Sequence, residues 1–367
     1  MKKVLTLLVA LTMVLSLVSG CSKSSTPTDS QTTPTTAPEA TTAPEVEATT
    51  APEAPATAAA KTGLSVITSL GKSTAATADA EGLAQTDAYI FAVLVGEDGK
   101  IAACKIDAAQ TKINFSTEGK ITSDINAEFK SKQQLGDDYG MRKASAIGKE
   151  WNEQADAFAA YVVGKTVEEV KGIAINEEGI AGDADLAASV TVHIGDFVEG
   201  VAEAVANAQE LGASSTDKLG LGVTTDIAKS TDATADAAGL AQAYTNIAVS
   251  TVGADGKITS CFIDAVQGNV NFDTAGVITT DLTVAPLAKQ VLKDEYGMKK
   301  ASSIGKEWYE QANAFAAYVT GKTTDEVTGI ALNEEGKAGD ADLAASVTVH
   351  IGPFMANIAK AVENSAK

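Results

Sequence analysis

Apolar and polar positions along this chain fall into blocks of two periods. Tyr89 to Val95 is a nearly unbroken apolar run, and Ile101 to Asp107 is a second apolar segment. Gly96-Glu97-Asp98-Gly99-Lys100 lies between them, and its Asp-Gly pair is the signal of a tight hairpin. Ile113 to Phe115 continues in the same style, Thr117-Glu118-Gly119 turns the chain, and Ile121 follows. The pattern then changes to spacings of three and four. Ile147, Trp151, Ala155, Phe158 and Val162 share one helical face, Ser145 is placed to cap its start, and Gly164 suits its end. Thr166 and Glu169 have the spacing of a capping box for a short second helix. Asp196 to Gln209 predicts a last helix. Strands followed by helices, without βαβ alternation, predict an α+β fold around an antiparallel sheet.

The whole arrangement occurs twice. Residues 63–210 align without a gap on residues 220–367, and 91 of the 148 aligned positions are identical. Residues 211–219 form the joint. Each unit is longer than a solenoid repeat, so the expectation is two tandem duplicated domains, each an antiparallel sheet with packed helices. The second copy has Pro353 where the first has Asp196, and proline is favoured in a helix's first turn. The longest identity is AGDADLAASVTVHIG, at residues 181–195 and again at 338–352. Read as a strand, it turns Ser189, Thr191 and His193 to one side and Val190, Val192 and Ile194 to the other. A half-buried edge strand with a polar outside is the plain reading of that alternation.

The ends and composition narrow the setting. Residues 1–20 carry Lys2 and Lys3, an apolar stretch too short for a mature membrane span, then Ser19 and Gly20. That is the form of a secretory signal peptide. Residues 21–62 begin at Cys21 and continue as a Thr/Pro/Ala/Glu-rich segment with too little apolar bulk to order itself, which predicts a disordered spacer. The net charge of −20 repels phosphate backbones, so no nucleic-acid partner is expected. Cys21, Cys104 and Cys261 are the only cysteines, without a CxxC or a CxxCH motif. Cys104 reads as a buried free thiol. His193 and His350 are the only histidines, which gives little support to a His-rich metal site or a hydrolytic triad.

Several motif fragments fail on inspection. Gly164-Lys165-Thr166 lacks the upstream glycine of a phosphate-binding loop, because Ala159 stands there. Gly220-Leu221-Gly222 lacks the third glycine of a dinucleotide fingerprint, and Glu97-Asp98-Gly99 lacks the spaced ligands of a calcium loop. Trp151 and Trp308 lie on the apolar helix face, as core residues or beside a bound aromatic ring. Tyr139-Gly140-Met141 and Tyr296-Gly297-Met298 precede that helix, as loop anchors or as ring contacts.

Three features carry a resemblance. Leu-Val-Ser-Gly-Cys, ending at Cys21, resembles the lipobox of bacterial lipoproteins, which implies cleavage before Cys21 and a lipid on its sulfur. Asp185, Ser189, Val190 and Thr191, with Asp342, Ser346, Val347 and Thr348 in the second copy, resemble the acceptor motif of the FMN-binding domain family. The chain as a whole is similar to two-domain flavinylated lipoproteins of Gram-positive extracellular electron transfer. The resemblance implies one covalent FMN per domain, on Thr191 and Thr348, installed by an FAD:protein FMN transferase. Ala188 and Val190 depart from the family pattern, which leaves Ser189 and Ser346 as alternative acceptors and non-covalent binding as a third arrangement. Tyr139, Met141, Trp151, Tyr296, Met298 and Trp308 are the expected ring contacts. The implied role is an electron carrier without substrate turnover, lipid-anchored on the extracellular face of the cell membrane. It would take electrons from a membrane quinol or NADH dehydrogenase system and pass them to extracellular acceptors. The competing readings are a surface lipoprotein that binds a small ligand or wall component without flavin, and a structural or adhesive surface protein.

Overall fold

A computed structural model of the protein describes residues 58–367. The expected signal peptide, Cys21 and the expected spacer up to residue 57 lie outside the described residues. The first repeat opens with three strands, β1 (Ala60–Ser69), β2 (Gly82–Gly96) and β3 (Ile101–Phe115), in the order β1-β2-β3. The second has β4 (Lys218–Asp226), β5 (Gly239–Val252) and β6 (Ile258–Phe272), ordered β4-β5-β6. All pairings are antiparallel. The fold is therefore α+β, with two three-stranded antiparallel sheets and helices.

Five α-helices and one 3₁₀ turn follow each sheet. In the first repeat these are α1 (Lys132–Leu135), α2 (Trp151–Val162), α3 (Val167–Lys171), α4 (Ala184–Ala187) and α5 (Gly195–Ala206). In the second they are α6 (Lys289–Leu292), α7 (Trp308–Val319), α8 (Thr324–Thr328), α9 (Ala341–Ala344) and α10 (Gly352–Asn364). Among the described residues no helix is long and apolar enough to cross a membrane.

The strand pleat assigns the layers. Phe91, Val93 and Val95 point to the helices of their own repeat, among Phe158, Phe197 and Val201. Ile90, Ala92 and Leu94 point the other way and pack on Leu221, Ile247 and Val249 of the second sheet. Alternate residues of one strand thus serve two cores. This explains the unbroken apolar run from Ile90 to Val95, since both faces of β2 are covered. The order of layers is helices, sheet, sheet, helices.

Contacts across the two sheets are reciprocal. The Ala76 N–H donates to the Gly276 carbonyl (2.9 Å), and the Ala233 N–H donates to the Gly119 carbonyl (2.7 Å), which are the matching positions of the two repeats. Phe115 and Phe272, also matching, stack with ring centres 4.3 Å apart and planes 8° from parallel. Thr62 and Ser260 hydroxyls hydrogen-bond across the joint at 2.7 Å. The helices approach just as closely. At Gly63 a Cβ would overlap the Ala204 carbonyl oxygen of α5, and at Gly220 the Ala361 carbonyl oxygen of α10.

Three expectations shift. Ala60 to Thr62, placed in the disordered spacer, belong to β1, and Thr62 is fully buried. The joint 211–219 is packed: Ala213 is buried, its carbonyl accepts from the Ala60 N–H at 2.9 Å, and β4 has begun by Lys218. The α2 helix is capped by Glu150 rather than Ser145, and Ile147 lies before it in a turn. The Glu150 carboxylate is the stronger acceptor. It receives the Met141 and Arg142 N–H groups at 2.8 Å each and forms a capping box with Glu153.

Candidate functional site

The repeated segment is not a strand. Asp183 accepts the N–H groups of Asp185 and Leu186 at 3.0 and 3.1 Å and nucleates α4, a single helical turn. The chain then bends through Ser189 to His193 before α5 begins at Gly195. Val190 and Ile194 are fully buried, four residues apart, and Leu186 lies one turn before Val190. Helical turns and a bend satisfy the same apolar residues that alternation assigned to a strand.

Thr191 is held in this bend by a buried side chain. Gln154 of α2 has no exposed surface, and its Oε1 accepts three donors: the Thr191 N–H (2.8 Å), the Thr191 hydroxyl (3.2 Å) and the Val192 N–H (3.1 Å). Its Nε2 donates to the Ser145 hydroxyl (3.2 Å) and the Lys149 carbonyl (3.1 Å). The second repeat reproduces this. Gln311 Oε1 takes the Thr348 N–H (2.8 Å), the Thr348 hydroxyl (3.1 Å) and the Val349 N–H (3.2 Å). Thr191 and Thr348 remain half-buried.

The other residues of the motif sit differently. Asp185 and Asp342 are exposed in the first turns of their short helices. The Ser189 hydroxyl donates back to the Leu186 carbonyl at 3.1 Å, and the Ser346 hydroxyl to Leu343 at 3.2 Å. Ser189 therefore closes its own helix end, whereas Thr191 holds its hydroxyl on a neighbouring helix.

The aromatic residues expected to contact a ring do come together, around a lysine. Lys132 is almost fully buried, with its Nζ 4.7 Å from the Tyr139 ring centre, 5.0 Å from Trp151 and 5.5 Å from Tyr89. Lys289 lies 4.3 Å from Tyr296, 4.8 Å from Trp308 and 4.5 Å from Tyr244, and its ammonium donates to the Tyr244 hydroxyl at 2.8 Å. Burial pushes Lys289 down to about 7, with Asp264 opposing. Burial pushes Tyr89 up to about 12, with Asp87 adding to it. Trp151 also meets Phe197 edge to face at 6.0 Å, in the core. Met141 and Met298 pack half-buried against the same cores.

Sequence reasoning missed Gln154, Gln311, Lys132 and Lys289. Gln154 had a legible signal, a polar residue inside an apolar stripe, between Trp151 and Phe158 and repeated at Gln311. The lysines had none, because their burial depends on contacts distant in sequence. Cys104 and Cys261 are buried free thiols, both pushed up to about 12 by burial. Gly164 takes a left-handed φ of 82° just after α2, and Thr166 caps α3 with Glu169, so the Gly-Lys-Thr run is a helix junction. Among the described residues no cluster of potential metal ligands is present.

Comparison with models of known families, with curated proteins and with solved structures gives no match.

Proposed function

We propose that the protein is a membrane-anchored extracytoplasmic flavoprotein that carries electrons, with FMN esterified to Thr191 and Thr348. The observation that carries this reading is the paired threonine bend. In both repeats an identical segment holds a half-buried threonine on a fully buried glutamine. A phosphoester needs a hydroxyl at a fixed, reachable position; Gln154 and Gln311 fix the bend through the backbone N–H groups of both threonines and the residues after them, bonds that esterification leaves intact while the hydroxyl gives up its own. The α5 and α10 helices begin four residues later without side-chain caps, which leaves first-turn N–H groups free for an anion, although Asp196 adds a negative charge to that turn in the first repeat and Pro353 removes one N–H from it in the second. Flavin, when bound, supplies one- and two-electron chemistry. A covalent tether keeps such a group from being lost outside the cell. The lipid anchor at Cys21, the transferase, the membrane electron donor and the extracellular acceptors belong to the same reading and rest on the lipobox and motif resemblance.

Production of the full chain with an FAD:protein FMN transferase tests it. The expected product is yellow, stays yellow after denaturation, and carries two FMN groups per chain. Thr191→Ala and Thr348→Ala each remove one. Peptide masses showing both tandem segments unmodified would overturn the reading, and flavin retained in the double variant would move it to Ser189 and Ser346.

A further inference from the structure

Lys132 and Lys289 occupy matching positions in the two repeats, but only one of their ammonium groups has a polar partner. Lys289 donates to the Tyr244 hydroxyl at 2.8 Å, with Asp264 near enough to favour its charge. Lys132 forms no hydrogen bond or ion pair among the described residues, although it is only 6% exposed. The cause lies on the neighbouring strands. Tyr244 of β5 stands where β2 has Asp87, and the Asp87 carboxylate is taken by Gln85 and Gln110 at 2.9–3.0 Å.

The Lys132 ammonium is nevertheless reachable. Among the described residues, the side-chain atoms sealed from solvent without a partner are Asn152 Oδ1, Gln242 Oε1 and Asn357 Oδ1. Lys132 Nζ does not belong to that group, so it lacks a partner and keeps accessible surface. Trp151 is buried at the base of the cage, while Tyr89 and Tyr139 are half-buried walls. Ring faces offset part of the cost of withdrawing a cation from water, and an acceptor arriving beside the ammonium offsets more.

The cage and the Thr191 bend lie on one helix. Trp151 and Gln154 are buried three residues apart on α2, about 4.5 Å of helix rise. Gln154 Oε1 holds Thr191, and its Nε2 donates at 3.2 Å to Ser145, in the loop that follows Tyr139. A flavin esterified to Thr191 has a phosphate and a ribityl chain between that oxygen and its ring. The ring therefore lies beyond the threonine, and the cage is next along α2. Its rim carries carbonyl oxygens and ring nitrogens that accept hydrogen bonds. The unpaired donor of Lys132 fits that rim.

We propose that the Lys132 ammonium receives the carbonyl edge of the flavin on Thr191 and raises its reduction potential. This inference rests on the flavin reading above. Reduction adds two electrons and one proton to the oxidised ring and leaves one negative charge on it, and a cation beside the ring favours that charge. Lys289 has less to offer the flavin on Thr348, because its ammonium is already bound to Tyr244 and burial pushes it down to about 7.

Potentiometric titration with dithionite tests this on full chains made with the FMN transferase. Thr348→Ala and Thr191→Ala each leave a single flavin, whose attachment is checked by mass. In the Thr348→Ala chain, Lys132→Met lowers the midpoint potential at pH 7 by at least about 30 mV, a tenfold shift of a two-electron equilibrium. Lys132→Gln, which keeps a donor without the charge, also lowers it. Lys132→Arg, which keeps the charge, holds it near the parent value. In the Thr191→Ala chain, Lys289→Met has a smaller effect. A potential unmoved by both neutral variants, an equal fall with arginine, or a larger effect at Lys289 overturns the proposal and leaves the covalent flavin standing. A chain that carries no covalent flavin overturns both.

Discussion

Gln154 illustrates how much one buried polar side chain decides. Its amide satisfies two backbone N–H groups, a backbone carbonyl and two hydroxyls without any help from solvent. Replacing it by methionine keeps the volume and removes the partner of those half-buried groups, at up to about 1–3 kcal/mol for each one left unpaired. Gln154→Met should therefore lower the unfolding free energy by a few kcal/mol, read as a fall in the urea midpoint, and speed hydrogen exchange at Thr191 and Val192 first. Slow exchange there in the variant would show that the bend is held by something else. Lys293 offers the opposite sign. It is the one non-glycine residue with positive φ among the described residues, at 47°, and the matching residue of the first repeat is Gly136 at 48°. The second repeat thus carries a side chain on a backbone suited to glycine. Lys293→Gly should stabilise the chain by about 1 kcal/mol, and Gly136→Lys should destabilise it by a similar amount. Both are read from denaturant midpoints.

Secondary elements were legible where the cause of the element is local. The Asp98-Gly99 hairpin, the Thr166/Glu169 capping box and the glycine after α2 each depend on a few adjacent residues, and each is found in place. Segment 185–194 was not legible, because alternation and a helical turn followed by a bend bury overlapping sets of residues. Asp183 decides between them by capping α4, and its effect is invisible to a periodicity argument. The lysine cage was hidden for a different reason. Its parts come from β2, α1, the 139–141 loop and α2, and no window of sequence contains them. The buried acids of β3 and β6 belong to this class too, and they make a testable pH dependence. Asp107 and Asp264 lie under α1 and α6, where each accepts two backbone N–H groups. Burial nevertheless pushes them from 3.8 up to about 6 and about 7. The folded chain then holds protons that the unfolded chain releases near pH 4. Stability falls as pH rises from about 4 to about 7, by up to about 1.4 kcal/mol per pH unit for each titrating group. Lys289 acts in the other direction. Lowered from 10.5 to about 7, it binds fewer protons when folded, so its contribution improves as pH rises from about 7 to 10.5. These groups together set a stability minimum near neutral pH. Asp107→Asn with Asp264→Asn should remove the acid-side slope and leave the alkaline rise, in urea midpoints measured from pH 4 to 10. Parallel curves for variant and parent would contradict the assignment.

At the scale of the molecule, the repeats behave as two subunits of a symmetric dimer joined by a tether. A two-fold contact uses the same patch on both partners, so a bond from position i to j is matched by one from j to i. The Ala76–Gly276 and Ala233–Gly119 bonds meet that condition, and Phe115 stacked on Phe272 sits where such an axis would pass. The repeat in the sequence predicted two domains. It did not predict that Ile90, Ala92 and Leu94 would find their cover on the other repeat, because the pattern shows that both faces of β2 are apolar without saying what covers each. A half-chain would expose that whole face. Burial of large aliphatic side chains is worth about 1.5–3 kcal/mol each, and several such residues are shared across the joint, which is comparable to the net stability of an ordinary domain. Residues 58–216 produced alone should therefore be either largely unfolded or a homodimer that rebuilds the second sheet with another copy of the first. Sedimentation velocity and circular dichroism across a concentration series distinguish these. Both outcomes agree with a shared core, and a folded monomer with its own cooperative transition does not. By the same reasoning residues 58–367 should unfold in a single calorimetric transition, with calorimetric and van't Hoff enthalpies equal. Two resolved transitions would mean that each sheet-and-helix half carries its own stability, and that the face between them is a contact rather than a core.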